Sequence, residues 1–554
     1  MLLFKGDMNM KKYIILGLVA LFFNSCELDR FPTDSIVDEG YWNTEDDYIL
    51  ACNALYVNLP TYSNRDEYSD ITYGIGPNSI SSGSYLPSNA FGPWDGNYKK
   101  IATANKIIEF AQKNPNQLEN QIVKRYEGEA RFFRAWQYYD LLRSYGGVPI
   151  IDKLLDVDSE GLYAPRNTRL EVYDFIIDDL DFAIENLPLQ SELKGEEIGR
   201  FTRGAALALK SRVALYEGTR QKYVESGDFK KMLEQARDAA LQVILSNEYQ
   251  LYKSVSNDPI LNFQECFTYE GEGSKETILA HRYQSPWKKH NFSQQILRGT
   301  PNCPTRGIVD AFLCADGLPI EQSHLFQGYK TPTSEFQNRD PRMSATLLVP
   351  FTDIAWNGKP FTPSFSNDET QTGYCWKKMG VTEDAIAMEG DLDVIIIRYA
   401  EVLLNYAEAC FELNEQISDE DLNISINKLR DRVQMPKLTN AFVLGNNSQN
   451  IKLNMKDEIR RERLVELANE GFRYDDLLRW GIADEILPKA LMGIPDLRSY
   501  YTNVNENVWK KLKNGFLELQ PASDRIFEDK HYLWPIPLVQ IALNPNLKQN
   551  KGWE

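Results

Sequence analysis

The sequence predicts a mainly α-helical protein, an array of helical hairpins interrupted by long irregular loop excursions. Apolar residues recur at helical spacing through two blocks, one early and one late in the chain. Short turns containing Gly, Pro or Ser separate the helices of each block. Between the blocks, about residues 250–390, the chain is rich in Pro, Gly, Asn, Ser and aromatics and has few helical runs. Long excursions of this kind on a helical scaffold usually carry function.

The first predicted helix, Glu45–Leu59, places Tyr48, Ala51, Cys52, Leu55 and Tyr56 on one face. Tyr98–Ala111 repeats the pattern. Gln121–Tyr145 is longer, with Ala130, Phe133, Trp136 and Tyr139 as core candidates. Gly146 and Gly147 stop it, and Val148–Pro149–Ile150 leads out extended. Thr168–Leu187, Thr202–Tyr223 and Phe229–Leu245 complete the block, and Ala205, Ala206, Ala208 and Ala214 suit close helix contact. Paired helices with internal Ala and Tyr fit tetratricopeptide-like packing, although no strict 34-residue repeat is visible. The second block is predicted as Val394–Leu413, Leu422–Val433, Lys456–Asn469 and Phe472–Ile486, before an extended Pro- and Asn-rich tail.

At the other end, Lys11 and Lys12 precede an apolar run, Tyr13–Phe23, and then Asn24, Ser25 and Cys26. This reads as a secretory signal, residues 1–25, cleaved to leave Cys26 first. The run is too short for a bilayer that needs about 20 apolar residues. A lipidated, palmitate-bearing Cys26 would instead anchor a soluble domain, since each buried CH₂ contributes about 0.8 kcal/mol. Phe23 departs from the usual Leu of such signals, and Ser25 is suitably small. Residues 26–554 then form one domain in three parts, 26–249, 250–390 and 391–554.

The formal net charge of −18 excludes an electrostatic footprint for nucleic acid. Seven cysteines include no CxxC pair, and the four histidines include no HExxH, so neither a zinc site nor a histidine metal centre is expected. Cys52 and Cys410 sit in helical patterns as buried thiols. Asp156 to Gly161 imitates the start of an EF-hand loop, but its twelfth position is Asn167 rather than a bidentate Glu. No hydrolase constellation or phosphate cradle is present, and no cofactor is expected. Arg398, Glu401, Glu408, Arg463, Glu466 and Arg473 lie inside apolar helices and are read as paired core ions rather than catalytic groups.

Ordered motifs then accumulate. Ala130-Arg131-Phe132-Phe133-Arg134-Ala135 runs through to Gly146-Gly147-Val148-Pro149. Arg339-Asp340-Pro341-Arg342 follows in the centre. Arg398-Tyr399-Ala400-Glu401 precedes Asn405-Tyr406-Ala407-Glu408-Ala409. Asn427 to Pro436, Glu470-Gly471-Phe472-Arg473, Pro535-Ile536-Pro537 and Gly552-Trp553 close the set. With these, the chain resembles the SusD/RagB family of surface nutrient-binding lipoproteins from Cys26 to Glu554. The resemblance implies eight scaffold helices in four tetratricopeptide-like hairpins and a place on the extracellular face of the outer membrane, with Glu27 and Asp29 as an export signal. It also implies a SusC-like TonB-dependent transporter as partner and a non-catalytic role in glycan uptake. Oligopeptide uptake and a protein-only scaffold are the alternatives.

Glycan binding needs flat aromatic faces for pyranose rings and planar polar groups for hydroxyls. The loop Tyr62–Trp94 offers Tyr73, Tyr85, Asn89 and Trp94. The central excursion offers Tyr283, Trp287, Trp356, Tyr374 and Trp376. The resemblance implies ligand contact in these two regions, and all but Trp356 are the foremost candidates.

Overall fold

The computed structural model describes residues 41–554, apart from 63, 64, 89, 90, 115, 367, 368 and 503. The signal segment and Cys26 therefore lie outside the described residues, as does Asn89.

Helices dominate. The scaffold opens with α1 (Glu45–Tyr56), α2 (Trp94–Lys113), α3 (Asn120–Tyr145), α4 (Arg169–Asn186), α5 (Arg203–Arg220) and α6 (Lys230–Ser246). The starts of α1 and α4 are set by capping boxes, Thr44 with Asp47 and Thr168 with Glu171. Each helix from α2 to α6 packs on the next. α3 is covered on nearly every side, which explains its uninterrupted run of aromatic and small residues. Ala205, Ala206, Ala208 and Ala214 are all buried in α5, where helices approach closely. α5 ends in a wider π-type turn, Gln221–Glu225, three residues before the predicted end of that helix.

Two of the short helices in the excursion, α7 (Phe292–Arg298) and α8 (Thr382–Ala387), pack together. The second block follows with α9 (Tyr399–Asn414), α10 (Ile426–Arg432), α11 (Met455–Glu466) and α12 (Arg473–Arg479). α9 packs on α5, α6 and α11, closing the scaffold. Strands are few among the described residues: β1 (Thr72–Tyr73), β2 (Thr277–His281), β3 (Cys303–Pro304), β4 (Val394–Arg398), β5 (Leu491–Pro495), β6 (Leu512–Lys513) and β7 (Phe516–Gln520). β1 pairs with β3, β2 with β4, and β7 lies between β5 and β6, all antiparallel.

Three predicted helices are corrected. Val394–Leu413 divides at Arg398 into β4 and α9, because Val394 to Ile397 are branched residues that pair with β2. Leu422–Val433 breaks at Ser425, which has φ −127 and ψ −102. Phe472–Ile486 breaks after Arg479 at Gly481, whose φ is +64. All six described cysteines are free and buried, Cys52 and Cys410 included.

The charged residues inside the helices form buried ion networks that tie the excursion to the second block. Glu466 accepts from Arg342, Arg398 and Arg432 at 3.0, 2.7 and 2.6 Å. Arg398 also meets Glu276 and Glu470, Arg342 meets Asp340 and Glu462, and Lys378 meets Glu470 at 2.6 Å. Burial alone would raise the Glu466 carboxyl, but the three guanidiniums outweigh it and hold it well below the usual range. The same balance holds Glu408, beside Arg479 and Arg463, well below that range. Arg339 donates to the carbonyls of Val309 and Phe312, both at 2.7 Å, and Glu335 at 2.8 Å, so the RDPR element anchors the central loops. Each cation has a carboxylate or carbonyl partner, the condition for a buried charge to be tolerated.

Candidate functional site

Most of the aromatic candidates are core residues, and on this point the sequence reading is corrected. Trp94 is 5% exposed and lies edge-on to Tyr145, 5.2 Å between centroids. Tyr85 stacks on Phe91 and packs against Trp553. Tyr73 is buried in β1 opposite Cys303. Tyr374 donates its hydroxyl to both carboxylate oxygens of Glu335 at 3.1 Å, and Trp376, 1% exposed, bridges to Leu347. Their rings are already spent on protein contacts, so none offers a free face. Composition counts aromatics but does not reveal which side of a loop they occupy.

Trp287 is the exception. It is 83% exposed, at the tip of a tight hairpin in which Gln284 and Lys288 exchange backbone hydrogen bonds of 3.0 and 2.8 Å. Two carboxylates pin the hairpin. Tyr283 N–H donates to Asp393 Oδ1 at 2.8 Å, and Ser285 N–H donates to Asp391 Oδ2 at 2.7 Å. Tyr269 donates its hydroxyl to Asp391 and Asp384 at 3.1 and 2.9 Å. The Ser285 N–H holds the Asp391 carboxyl below its ordinary range, while burial raises that of Asp393. Beneath the tip, the half-buried Tyr283 stacks on His281 at 5.1 Å and meets His290 edge-on at 4.6 Å. His290 stacks on Phe292 at 4.2 Å, and the Lys288 ammonium lies 4.9 Å from the Tyr283 ring centre and contacts His281 Nε2. Burial lowers the pKa of both histidines, which favours neutral rings.

A second hairpin presents Trp356. Ile354 pairs with Pro360, and Ala355 N–H donates to Lys359 O at 2.8 Å. The Arg298 guanidinium, at the end of α7, lies 4.9 Å from the half-buried Trp356 ring. Asn357, Lys359, Thr362 and Glu369 join them around a cleft of about 200 Å³. The two hairpins are linked through the segment 386–390. Gly390 exchanges backbone hydrogen bonds with His290 at 2.8 and 2.9 Å, and Lys289 meets Glu389 at 3.1 Å. α8 runs from there to the second hairpin, where the Ile386 methyl lies 3.3 Å from where a Cβ on Gly358 would stand. Ile386 and Met388, 56% and 60% exposed, add apolar surface along this segment.

The two hairpins can do two things chemically. Exposed indole rings stack on flat apolar faces, and the guanidinium, amide and carboxylate groups beside Trp356 pair with hydroxyls. Asp391 and Asp393, which hold the first hairpin, escaped the sequence reading. The available signal was an Asp-x-Asp spacing directly before the branched run of β4. No cluster of three or more His, Cys, Asp or Glu side chains able to hold a metal occurs among the described residues.

Comparison with known proteins bears on this fold. Residues 271–553 match the model described as SusD family, and residues 78–215 match one described as starch-binding associating with outer membrane. SusD-like protein P38 of Formosa agariphila is 25% identical over 95% of both chains. A SusD-like protein of Bacteroides ovatus is 26% identical over 85% of this chain and 82% of its own. The crystal structure of a SusD-like carbohydrate binding protein of Bacteroides fragilis superposes with a TM-score of 0.76, at 24% identity, over 92% of this chain and 99% of that one.

Proposed function

Because the chain belongs to the SusD family, we propose that it is a non-catalytic cell-surface lipoprotein that captures oligo- or polysaccharide and passes it to a SusC-like TonB-dependent transporter. Cys26 carries the lipid, and the folded domain lies on the extracellular face of the outer membrane. Glycan is the cargo that best suits the exposed chemistry. The observation that carries this reading is Trp287, a large ring left 83% exposed on a hairpin held rigid by two carboxylates. Exposing so much indole costs solvation, and rigid presentation lowers the ordering cost of binding. Trp356, with Arg298 behind it, supplies a second stacking position. The description of the Bacteroides fragilis neighbour as carbohydrate binding supports the same reading.

Isothermal titration against a panel of soluble polysaccharides tests it. At least one should bind, and Trp287→Ala should weaken that binding about tenfold, the worth of one aromatic stacking contact. The melting temperature should not change, because Trp287 buries little in the free protein. Binding confined to oligopeptides would transfer the model to peptide uptake. Binding of neither class would leave a protein-only scaffold.

A further inference from the structure

A groove of about 360 Å³ lies between the end of α6, the segment 249–253 after it, and α10. Tyr399, which opens α9, lines it too, and none of its lining residues belongs to either hairpin. The strand β4 separates Tyr399 from Asp393 at the base of the Trp287 hairpin, a span of about 15–20 Å at about 3.3 Å per residue.

The charges in this groove do not balance. Lys428 is half-buried on α10, and its ammonium meets the Tyr399 hydroxyl at 3.5 Å and the Tyr399 ring centre at 5.9 Å. Burial lowers its pKa, and among the described residues no carboxylate pairs with it to offset that. The acids around the groove are already engaged. Asp431 faces Lys437 at 3.6 Å. Glu276 and Glu466 hold the Arg432 guanidinium at 3.1 and 2.6 Å, and Glu265 accepts the Tyr252 hydroxyl at 2.8 Å. Lys253 adds an exposed ammonium to the same groove. A partly buried cation without a counter-ion carries a desolvation cost, which an anion placed against it offsets. The chain's formal charge of −18 does not prevent this, because salt screens charges beyond about 8 Å.

The rest of the wall suits a small polar ring. Leu251 and the Tyr252 ring are half-buried and supply apolar surface, while Asn247 and Gln250 present exposed amides. The volume is ample, since a cavity of about 150 Å³ already holds benzene. We infer that this groove binds a monosaccharide-sized anion, a sugar ring bearing a carboxylate or a sulfate ester, with the negative group on Lys428. An ammonium is a point charge without the planar fork of a guanidinium, so it accepts either group. That the anion is carried by a sugar rests on the glycan reading; the anion site itself does not.

The test is a ligand-observed NMR titration of the folded domain with D-glucuronate, D-glucose 6-sulfate and D-glucose in parallel. At least one of the two anionic sugars should saturate, at least about tenfold more tightly than glucose, and the tighter one names the anion. Lys428→Met should weaken that binding about tenfold or more, the worth of one charge-assisted hydrogen bond, while Lys428→Arg should stay within about threefold. The melting temperature of Lys428→Met should not fall, because the ammonium has no ion pair to lose. Crystals of the unsubstituted protein soaked in the tighter anionic sugar give an independent readout if Lys428→Met does not fold. The anionic oxygens should then lie within about 3 Å of Lys428 Nζ. Saturation by neither anionic sugar, equal affinity for glucose, unchanged affinity in a folded Lys428→Met protein, or a sugar bound elsewhere would overturn the inference. Trp287→Ala should leave these affinities unaltered. A protein that binds the anionic sugar but no polysaccharide keeps the groove and loses the capture model, and the opposite pattern does the reverse.

Discussion

Replacing Glu466 with Gln should destabilise the protein more than any surface charge change. Glu466 is fully buried and accepts from Arg342, Arg398 and Arg432 at 3.0, 2.7 and 2.6 Å. Glutamine keeps the shape but leaves the three guanidiniums one negative charge short in a dry interior. Breaking a buried ion pair costs about 3–5 kcal/mol. Unfolding entropy of about 2.1 cal/mol/K per residue gives about 1 kcal/mol/K for a chain of this length, so the melting temperature should fall by about 3–5 °C. The control is Glu389→Gln, whose partner Lys289 lies at 3.1 Å on the surface; exposed pairs contribute about 0–1 kcal/mol. Scanning calorimetry at pH 7 measures both. The sign with pH follows from the depressed Glu466 carboxyl. Its contribution is fully present above the unfolded value near about 4.3 and is lost as pH falls through the folded value. The gap between the native protein and Glu466→Gln should therefore be equal at pH 7 and pH 5 and shrink only in stronger acid. A variant that melts with the control at pH 7 would refute the claim that these ions hold the excursion to the scaffold.

Other outcomes follow from individual sites. Burial pushes the Glu335 carboxyl up to about 7 despite Arg306, Arg339 and the Tyr374 hydroxyl. A raised folded value penalises the fold as pH rises from the unfolded value to the folded one. Glu335→Gln should thus match the native protein at pH 4.5 and become more stable than it by about 1–3 kcal/mol at pH 8, read as a difference between two melting curves. An added Cβ at Gly147 would stand 2.1 Å from the Asn167 carbonyl oxygen, whereas at Gly76 it would meet nothing within 4 Å. Gly147→Ala should therefore lower the melting temperature by about 2 °C or more while Gly76→Ala leaves it within about 1 °C.

The scaffold was legible in the sequence because helical periodicity and its stop signals are local. Thr44, Thr168, Gly146 and the alanines of α5 each do what their positions announce. The ions inside the helices were legible too, since a charge at an apolar position implies a partner. The errors came where tertiary context decides. Val394 to Ile397 fit a helical pattern as well as a strand until β2 supplies the pairing partner. Trp94 and Trp376 look as available as Trp287 on paper, and only the packing of Tyr145 and the bridge to Leu347 remove them. The Ser285-Pro286 pair before Trp287 is the local turn signal that could have set it apart and went unused.

The hairpin at 284–288 bears on how the surface it presents can change. Its anchors, Asp391 and Asp393, grip backbone N–H groups of Ser285 and Tyr283. Main-chain amides are the same whatever the side chain, so the side chains at 285 and 287 can be rewritten without loosening the mount, provided position 285 keeps its N–H. A graft of new tip residues onto an unaltered base would then be a short evolutionary step, and a short engineering one, between one recognised surface and another.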